Sequence, residues 1–115
     1  MLSPAVRQAL LEFRRERDWE QFHTPLNLAV AISVEAAELL EQFQWKIGEE
    51  ARLPPERLDA VEQEVADLAI LLTYFANDLH IDVDAAVERK LKLNALKYPV
   101  NEAKGNARKH DGPKR

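Results

Sequence analysis

Apolar positions along this chain recur at steps of three and four, and no window alternates with a period of two. The pattern is clearest at Leu58, Val61, Val65, Leu68, Leu72, Phe75 and Leu79, which predicts a helix from about Pro55 to Leu79. An earlier helix starts at Ser3-Pro4 and runs through Val6, Leu10, Leu11 and Phe13 to about Arg17, followed by a short connection, Asp18 to His23, with two aromatics. Asp82 caps a later helix through Ala85, Val87, Leu91 and Leu93 to about Lys97, and Pro99 ends it. Between these lies Leu26–Trp45, opened by Thr24 as N-cap and Pro25 as first helical residue, where a missing N–H costs nothing. It runs to about Lys46, with Gly48 as a stop signal. Glycine is scarce, and the expected fold is an all-α, four-helix bundle-like protomer.

The Leu26–Trp45 helix carries no charge before Glu35, and its apolar residues fall on every side. A helix apolar all round is normally buried in a bundle. Glu35 and Glu38 nevertheless project from it side by side, three residues apart. A second pair at the same spacing, Glu64 and Asp67, opens the uncharged run Leu68–Ala76 on the next helix. Carboxylates in apolar segments are costly unless a cation meets them. If the two helices pack antiparallel, the pairs can face each other. Four oxygen donors without His or Cys suit a hard cation, Mg²⁺ or Mn²⁺. Di-iron bundles use Glu-x-x-His on two of their helices, and the two carboxylate helices show none, which argues against iron-oxidase chemistry.

Composition narrows the rest. At 115 residues, 46% of them hydrophobic, the chain reads as one domain able to build a helical core. The absence of cysteine excludes disulfides and thiolate metal sites, and fits a cytoplasmic protein. No apolar run reaches the roughly 20 residues of a membrane span. Glu12, Glu16 and Asp18 interleave with the N-terminal arginines, unlike a transit peptide. From Ala103 to Arg115 five Lys or Arg stand against Asp111, a net of +4, which leaves −8 on the remaining residues of a chain of net charge −4. That acidic body is a poor partner for polymeric nucleic acid or an anionic membrane. The expected organisation is a helical domain over 1–102 and a basic tail over 103–115, mobile unless a partner orders it.

Several motifs share a family likeness. Trp19-Glu-Gln-Phe-His23, Pro25-x-Asn27-Leu28, Glu35-x-x-Glu38-Leu39, Phe43-Gln44-Trp45, Glu64-x-x-Asp67 and Lys90-x-x-x-Asn94-x-x-Lys97-Tyr98-Pro99 together resemble the MazG-like all-α nucleotide pyrophosphohydrolases, most of all the compact branch with the dCTP pyrophosphatases. The resemblance covers about residues 10 to 100. It implies Mg²⁺-dependent hydrolysis of a nucleoside triphosphate to monophosphate and pyrophosphate, a nucleotide house-cleaning activity with dCTP or a modified dCTP as leading substrate. It makes Glu35, Glu38, Glu64 and Asp67 metal ligands and Glu38 the candidate general base. Lys90, Asn94, Lys97 and Tyr98 would contact phosphates or sugar, and Trp19 and Trp45 would flank the base. It further implies a homo-oligomer, a tetramer or dimer.

The chain also departs from the family pattern. Val34 stands where a longer motif begins with a Glu doublet, Leu10 where some cytosine-preferring relatives place His, and Leu26 where a basic residue is frequent. His23 reads as a helix-entry residue rather than a catalyst. Two rival readings stay open on sequence alone: a non-catalytic acidic helical oligomer that binds a metal or basic partner, and a scaffold whose carboxylates merely face water.

Overall fold

Helix starts in this protein are set by short polar side chains, and all three expected caps form. The computed structural model describes residues 1–45 and 55–108, and among these every regular element is helical. Ser3 accepts from the Val6 N–H (3.3 Å) to start α1, Pro4–Glu16. Thr24 Oγ1 accepts from the Asn27 N–H (3.1 Å) to start α2, Pro25–Glu41. Asp82 accepts from the Ala85 N–H (3.1 Å) to start α4, Val83–Lys97. Each satisfies one of the N–H groups that a helix start leaves without an internal partner. The Trp19–Phe22 connection coils into a 3-10 turn entered through Asp18 at φ 54°. Another such turn, Pro55–Arg57, leads into α3, Leu58–Asp78, and α5, Val100–Ala103, follows Pro99.

The second helix stops earlier than its apolar pattern suggests. It ends at Glu41 rather than near Lys46, because Gln42 and Phe43 donate to Leu39 and Leu40, three residues back, and tighten the last turn. Trp45, at φ 66°, has a left-handed backbone no helix interior accepts. Gly48 and the basic tail beyond Arg108 lie outside the described residues.

The chain divides into two units, Met1–His80 and Ile81–Arg115. In the first, α2 and α3 form the main packing and run antiparallel. Three contacts in order establish this: Arg57 at the start of α3 donates to the Gln42 carbonyl beyond the end of α2, Glu35 lies at mid-helix with Glu64 and Asp67, and Leu28 near the start of α2 packs with Tyr74 near the end of α3. Leu10 brings α1 into the same cluster, with Ile70, Leu71 and Phe75 packed against it. The second unit consists of α4 and α5, and the large apolar side chains Leu91 and Leu96 of α4 are exposed.

Docking of α1 also depends on polar groups. The Tyr74 hydroxyl donates to the Leu10 carbonyl at 2.8 Å. Arg14, buried on the apolar side of α1, makes a two-pronged bond to Asp78, Nη2 to Oδ1 at 2.8 Å and Nη1 to Oδ2 at 2.9 Å. Its guanidinium also lies over the Tyr74 ring, 4.4 Å from the centroid. A planar guanidinium can satisfy a carboxylate and stack on a ring at once, which a lysine cannot. The fully buried set around this arrangement is small, and Leu26, Val30 and Val34 leave an exposed apolar stripe at steps of four along α2.

Asp78 is held below the usual carboxylate range, first by its hydrogen bonds from Arg14, an effect that outweighs its partial burial. A lowered pKa stabilises the fold above the ordinary value of 3.8, and that contribution is lost as pH falls through the folded-state value. Asp78→Asn is expected to lower unfolding stability at neutral pH by about 2–3 kcal/mol and to flatten the acid limb of the stability curve. Urea titrations of both proteins between neutral and acid pH check this; a change below about 0.5 kcal/mol would show that the pair does not anchor α1.

Candidate metal centre

Antiparallel packing turns two i, i+3 spacings into one cluster. Glu35 from α2 and Glu64 and Asp67 from α3 each present a carboxylate oxygen, and the three oxygens lie within 4.8 Å of one another. Glu35 and Glu64 are half-buried, whereas Asp67 is exposed. One oxygen of Glu35 and one of Glu64 are shielded from water with no hydrogen-bond partner. At such separations two carboxylates repel by roughly 3 kcal/mol at an effective dielectric of about 20, before solvent screening.

The protein shows this stress on Glu35, whose pKa is pushed up to about 7. The largest cause is the facing Glu64 carboxylate, which favours a proton held between the two; burial follows, then Glu38, with Asp67 a further like charge. Orphaned, shielded oxygens, like charges that favour protonation and an all-carboxylate donor set fit a hard divalent cation of the Mg²⁺ or Mn²⁺ type. Glu35, Glu64 and Asp67 would hold it. Glu38, half-buried one turn further along α2, is close enough to act electrostatically on Glu35 but is not one of the three converging residues.

Glu35 and Asp67 also belong to the wall of an open pocket of about 770 Å³. Trp19 lines the same pocket, and its ring stands edge-on to Phe13 (centroids 5.7 Å apart, planes at 73°), another wall residue. Carboxylates and an aromatic shelf therefore share one cavity, the combination that a ligand with a charged end and a flat end requires. Trp45 is 89% exposed and takes no part in this wall. Lys90, Asn94 and Lys97 lie on α4 of the second unit, Asn94 half-buried and both lysines exposed, and Tyr98 is the C-cap residue, donating its N–H to the Asn94 carbonyl at 2.8 Å.

The pocket also contains two residues to which the sequence reading gave no site role. His23 and Tyr74 line it, with ring centroids 5.4 Å apart, and Arg14 Nη1 is 3.4 Å from His23 Nδ1. Burial, then the neighbouring Arg14, holds the His23 pKa below its usual value, against the opposing pull of Asp78 and Glu20. The available signal was Arg14 itself, a charge four residues after Leu10 on the apolar side of α1, with Asp78 four residues after Tyr74 on α3. A Glu-x-x-His spacing was also overlooked, Glu20 to His23. It lies outside the carboxylate helices, starting in the 3-10 turn with Glu20 exposed, and neither residue joins the converging trio.

Fold and site together define an all-α protein with a carboxylate cluster between antiparallel helices beside an aromatic pocket. The MazG-like family model matches residues 30–111, and the chain belongs to the MazG-like family. It is 41% identical over 108 residues to dCTP pyrophosphatase 1 of Mus musculus and 39% identical over 109 residues to that of Homo sapiens. Each match covers 91% of this chain and 64% of the relative, so the chain spans about two-thirds of the length of these relatives. Among solved structures it is similar to a pyrophosphatase from Archaeoglobus fulgidus, with 43% identity, a TM-score of 0.78, and coverage of 83% of this chain and 90% of that one.

The raised Glu35 pKa sets a pH dependence for the metal-free protein. At Glu35 the folded state keeps a proton that the unfolded chain has lost between about 4.5 and 7, so the contribution of this group is full below 4.5 and is lost as pH rises through about 7. In chelator, the melting temperature of the wild type measured relative to Glu35→Gln is therefore expected to fall across this window. An equally steep fall in Glu35→Gln would mean that the carboxyl is not strained.

Proposed function

We propose that this protein is a divalent-metal-dependent nucleoside triphosphate pyrophosphohydrolase, converting a nucleoside triphosphate and water to the monophosphate and pyrophosphate. The observation that carries the reading is the meeting of Glu35, Glu64 and Asp67 in one cluster, two of them on the wall of the pocket that Trp19 lines. The names of the relatives, dCTP pyrophosphatase and pyrophosphatase, support the same chemistry and make dCTP or a modified dCTP the leading substrate.

Glu35, Glu64 and Asp67 would hold Mg²⁺, with Mn²⁺ as a substitute, and Glu38 joins them as a ligand or as the base. When bound, the ion neutralises triphosphate charge and lowers the pKa of the attacking water. Glu38 takes the proton of that water as its oxygen bonds to the α-phosphorus. The bond from the α-phosphorus to the α,β-bridging oxygen breaks, and pyrophosphate leaves with that oxygen. Trp19 offers the base a stacking face, a contact worth about 1–3 kcal/mol. On the strength of the sequence resemblance, Lys90, Asn94, Lys97 and Tyr98 are assigned to phosphate or sugar contacts and Trp45 to a second base contact.

The exposed stripe Leu26, Val30 and Val34 supports assembly into a homo-oligomer, a dimer or tetramer, because monomers rarely leave aligned apolar side chains in water. No helix among the described residues is long and apolar enough to cross a membrane, and a cytoplasmic role in nucleotide-pool cleaning is the reading consistent with the substrate.

Incubation with Mg²⁺ and a nucleotide panel is expected to release pyrophosphate and monophosphate, as read by ion-exchange chromatography; diphosphate and phosphate as main products would overturn the reading. Glu38→Gln and Asp67→Asn are expected to lose most turnover, at least about 100-fold for a base or ligand, and to retain the metal-free fold. Asp67→Asn should also weaken the rise in melting temperature produced by Mg²⁺. Full turnover and an unchanged metal response in both variants would return the carboxylates to an ordinary acidic face.

A further inference from the structure

We infer that the Arg14–Asp78 ion pair sets nucleotide affinity from outside the pocket, as a positioning pair: it fixes α1 against α3, and α1 supplies an apolar wall of the pocket. The inference rests on the pyrophosphohydrolase reading and assigns residues that the motif resemblance leaves without a role.

Val6, Leu10 and Phe13 line the pocket from α1 at helical steps of four and three, and Asp67, Ile70 and Tyr74 line it from α3 at steps of three and four. The width of the cavity on this side therefore follows how α1 sits on α3. Little apolar contact fixes that placement. Leu10 and Arg14 are the two buried residues of α1, while Val6 and Phe13 remain exposed. Polar ties supply the rest. Arg7 Nη2 donates to Asn77 Oδ1, the Tyr74 hydroxyl donates to the Leu10 carbonyl, and the Arg14 fork donates to both oxygens of Asp78. Asn77 Nδ2 also donates to Asp78 Oδ1 at 3.2 Å, which joins the first tie to the last. A two-pronged charged bond fixes direction as well as distance, so Arg14–Asp78 is the tie that orients α1.

Two features separate this pair from the chemistry. Neither Arg14 nor Asp78 lines the pocket, so neither is placed to touch a ligand. Asp78 lies about three turns beyond Asp67 on α3, roughly 16 Å along the helix axis, so the pair is also remote from the carboxylates. A displaced α1 would shift Val6, Leu10 and Phe13 relative to a bound nucleotide, while Glu35, Glu64 and Asp67 keep their places between α2 and α3. A misplacement of about 1 Å caused by a distant substitution can cost as much as about 100-fold, although no contact residue has changed. The signature of this role is a changed KM beside an intact metal centre. A pair that only stabilised the fold would lower the melting temperature and leave the KM of the folded enzyme unchanged.

The test compares wild type, Arg14→Leu and Asp78→Asn with dCTP and Mg²⁺, at a temperature where circular dichroism shows each protein fully folded. The KM is expected to rise about tenfold in both variants, with kcat within about twofold of wild type. The rise in melting temperature that Mg²⁺ produces without nucleotide is expected to persist in both. Arg14→Lys keeps the charge and loses the fork, and is expected to recover only part of the affinity. On the wild type, a non-hydrolysable α,β-methylene analogue of dCTP with Mg²⁺ is expected to slow hydrogen exchange at the α1 amides. While the wild type turns over, three results each overturn this inference alone: an unchanged KM in the folded variants, a lost Mg²⁺ response in them, or α1 amides indifferent to the analogue. A wild-type protein that releases no pyrophosphate from any nucleotide overturns the function beneath it as well.

Discussion

The register between α2 and α3 is the constraint on which the rest depends. Antiparallel helices meet at one place for each alignment, and a shift of one turn, 5.4 Å, would separate Glu35 from Glu64 and Asp67. Two features at opposite ends hold the alignment: Arg57 on the Gln42 carbonyl, and Leu28 packed with Tyr74. The carboxylates cannot set it themselves, since like charges push apart. Apolar packing and end contacts therefore hold together groups that would otherwise separate, and the stress remains in the raised Glu35 pKa. Strain of this kind persists only where the surrounding fold over-determines the position.

The same dependence reaches the pocket through α1. Tyr74 donates to Leu10, supports Arg14 from below its guanidinium and flanks His23, so one α3 side chain sets a helix, an ion pair and an imidazole. Arg14 and Asp78 are not an isolated surface pair. Arg14 is buried, and removing either partner leaves a charge without compensation, which is why breaking such a pair costs more than forming it contributes.

Helices and caps were legible in the sequence because they follow local rules. Ser3, Thr24 and Asp82 each cap as their chemistry demands, and the step of three and four along α3 needs no tertiary information. The carboxylate pairs were legible too, since acids within uncharged runs stand out. Their convergence was conditional on antiparallel packing, which periodicity alone does not decide. The early end of α2 was not visible: Leu39, Leu40 and Phe43 continue a helical pattern, and only backbone bonding at Gln42 and Phe43 shows the chain turning. The pocket position of His23 was hidden for a similar reason. Its neighbours in sequence are turn residues, while its chemistry comes from Arg14 and Tyr74, nine and 51 positions away in the chain.

The small set of fully buried apolar side chains has a thermodynamic consequence. Leu10, Leu28, Tyr74 and Ala76 make up the buried apolar core of the described residues, whereas Leu26, Val30 and Leu40 of α2 remain in water. Both the denaturant slope and the heat-capacity increment of unfolding scale with surface newly exposed. A chain that hides little by itself releases little when it opens, so its transition is shallow and broad. If the α2 stripe is covered by another copy, the transition steepens and its midpoint moves with protein concentration. The sharpness of unfolding thus records how much of α2 has found cover.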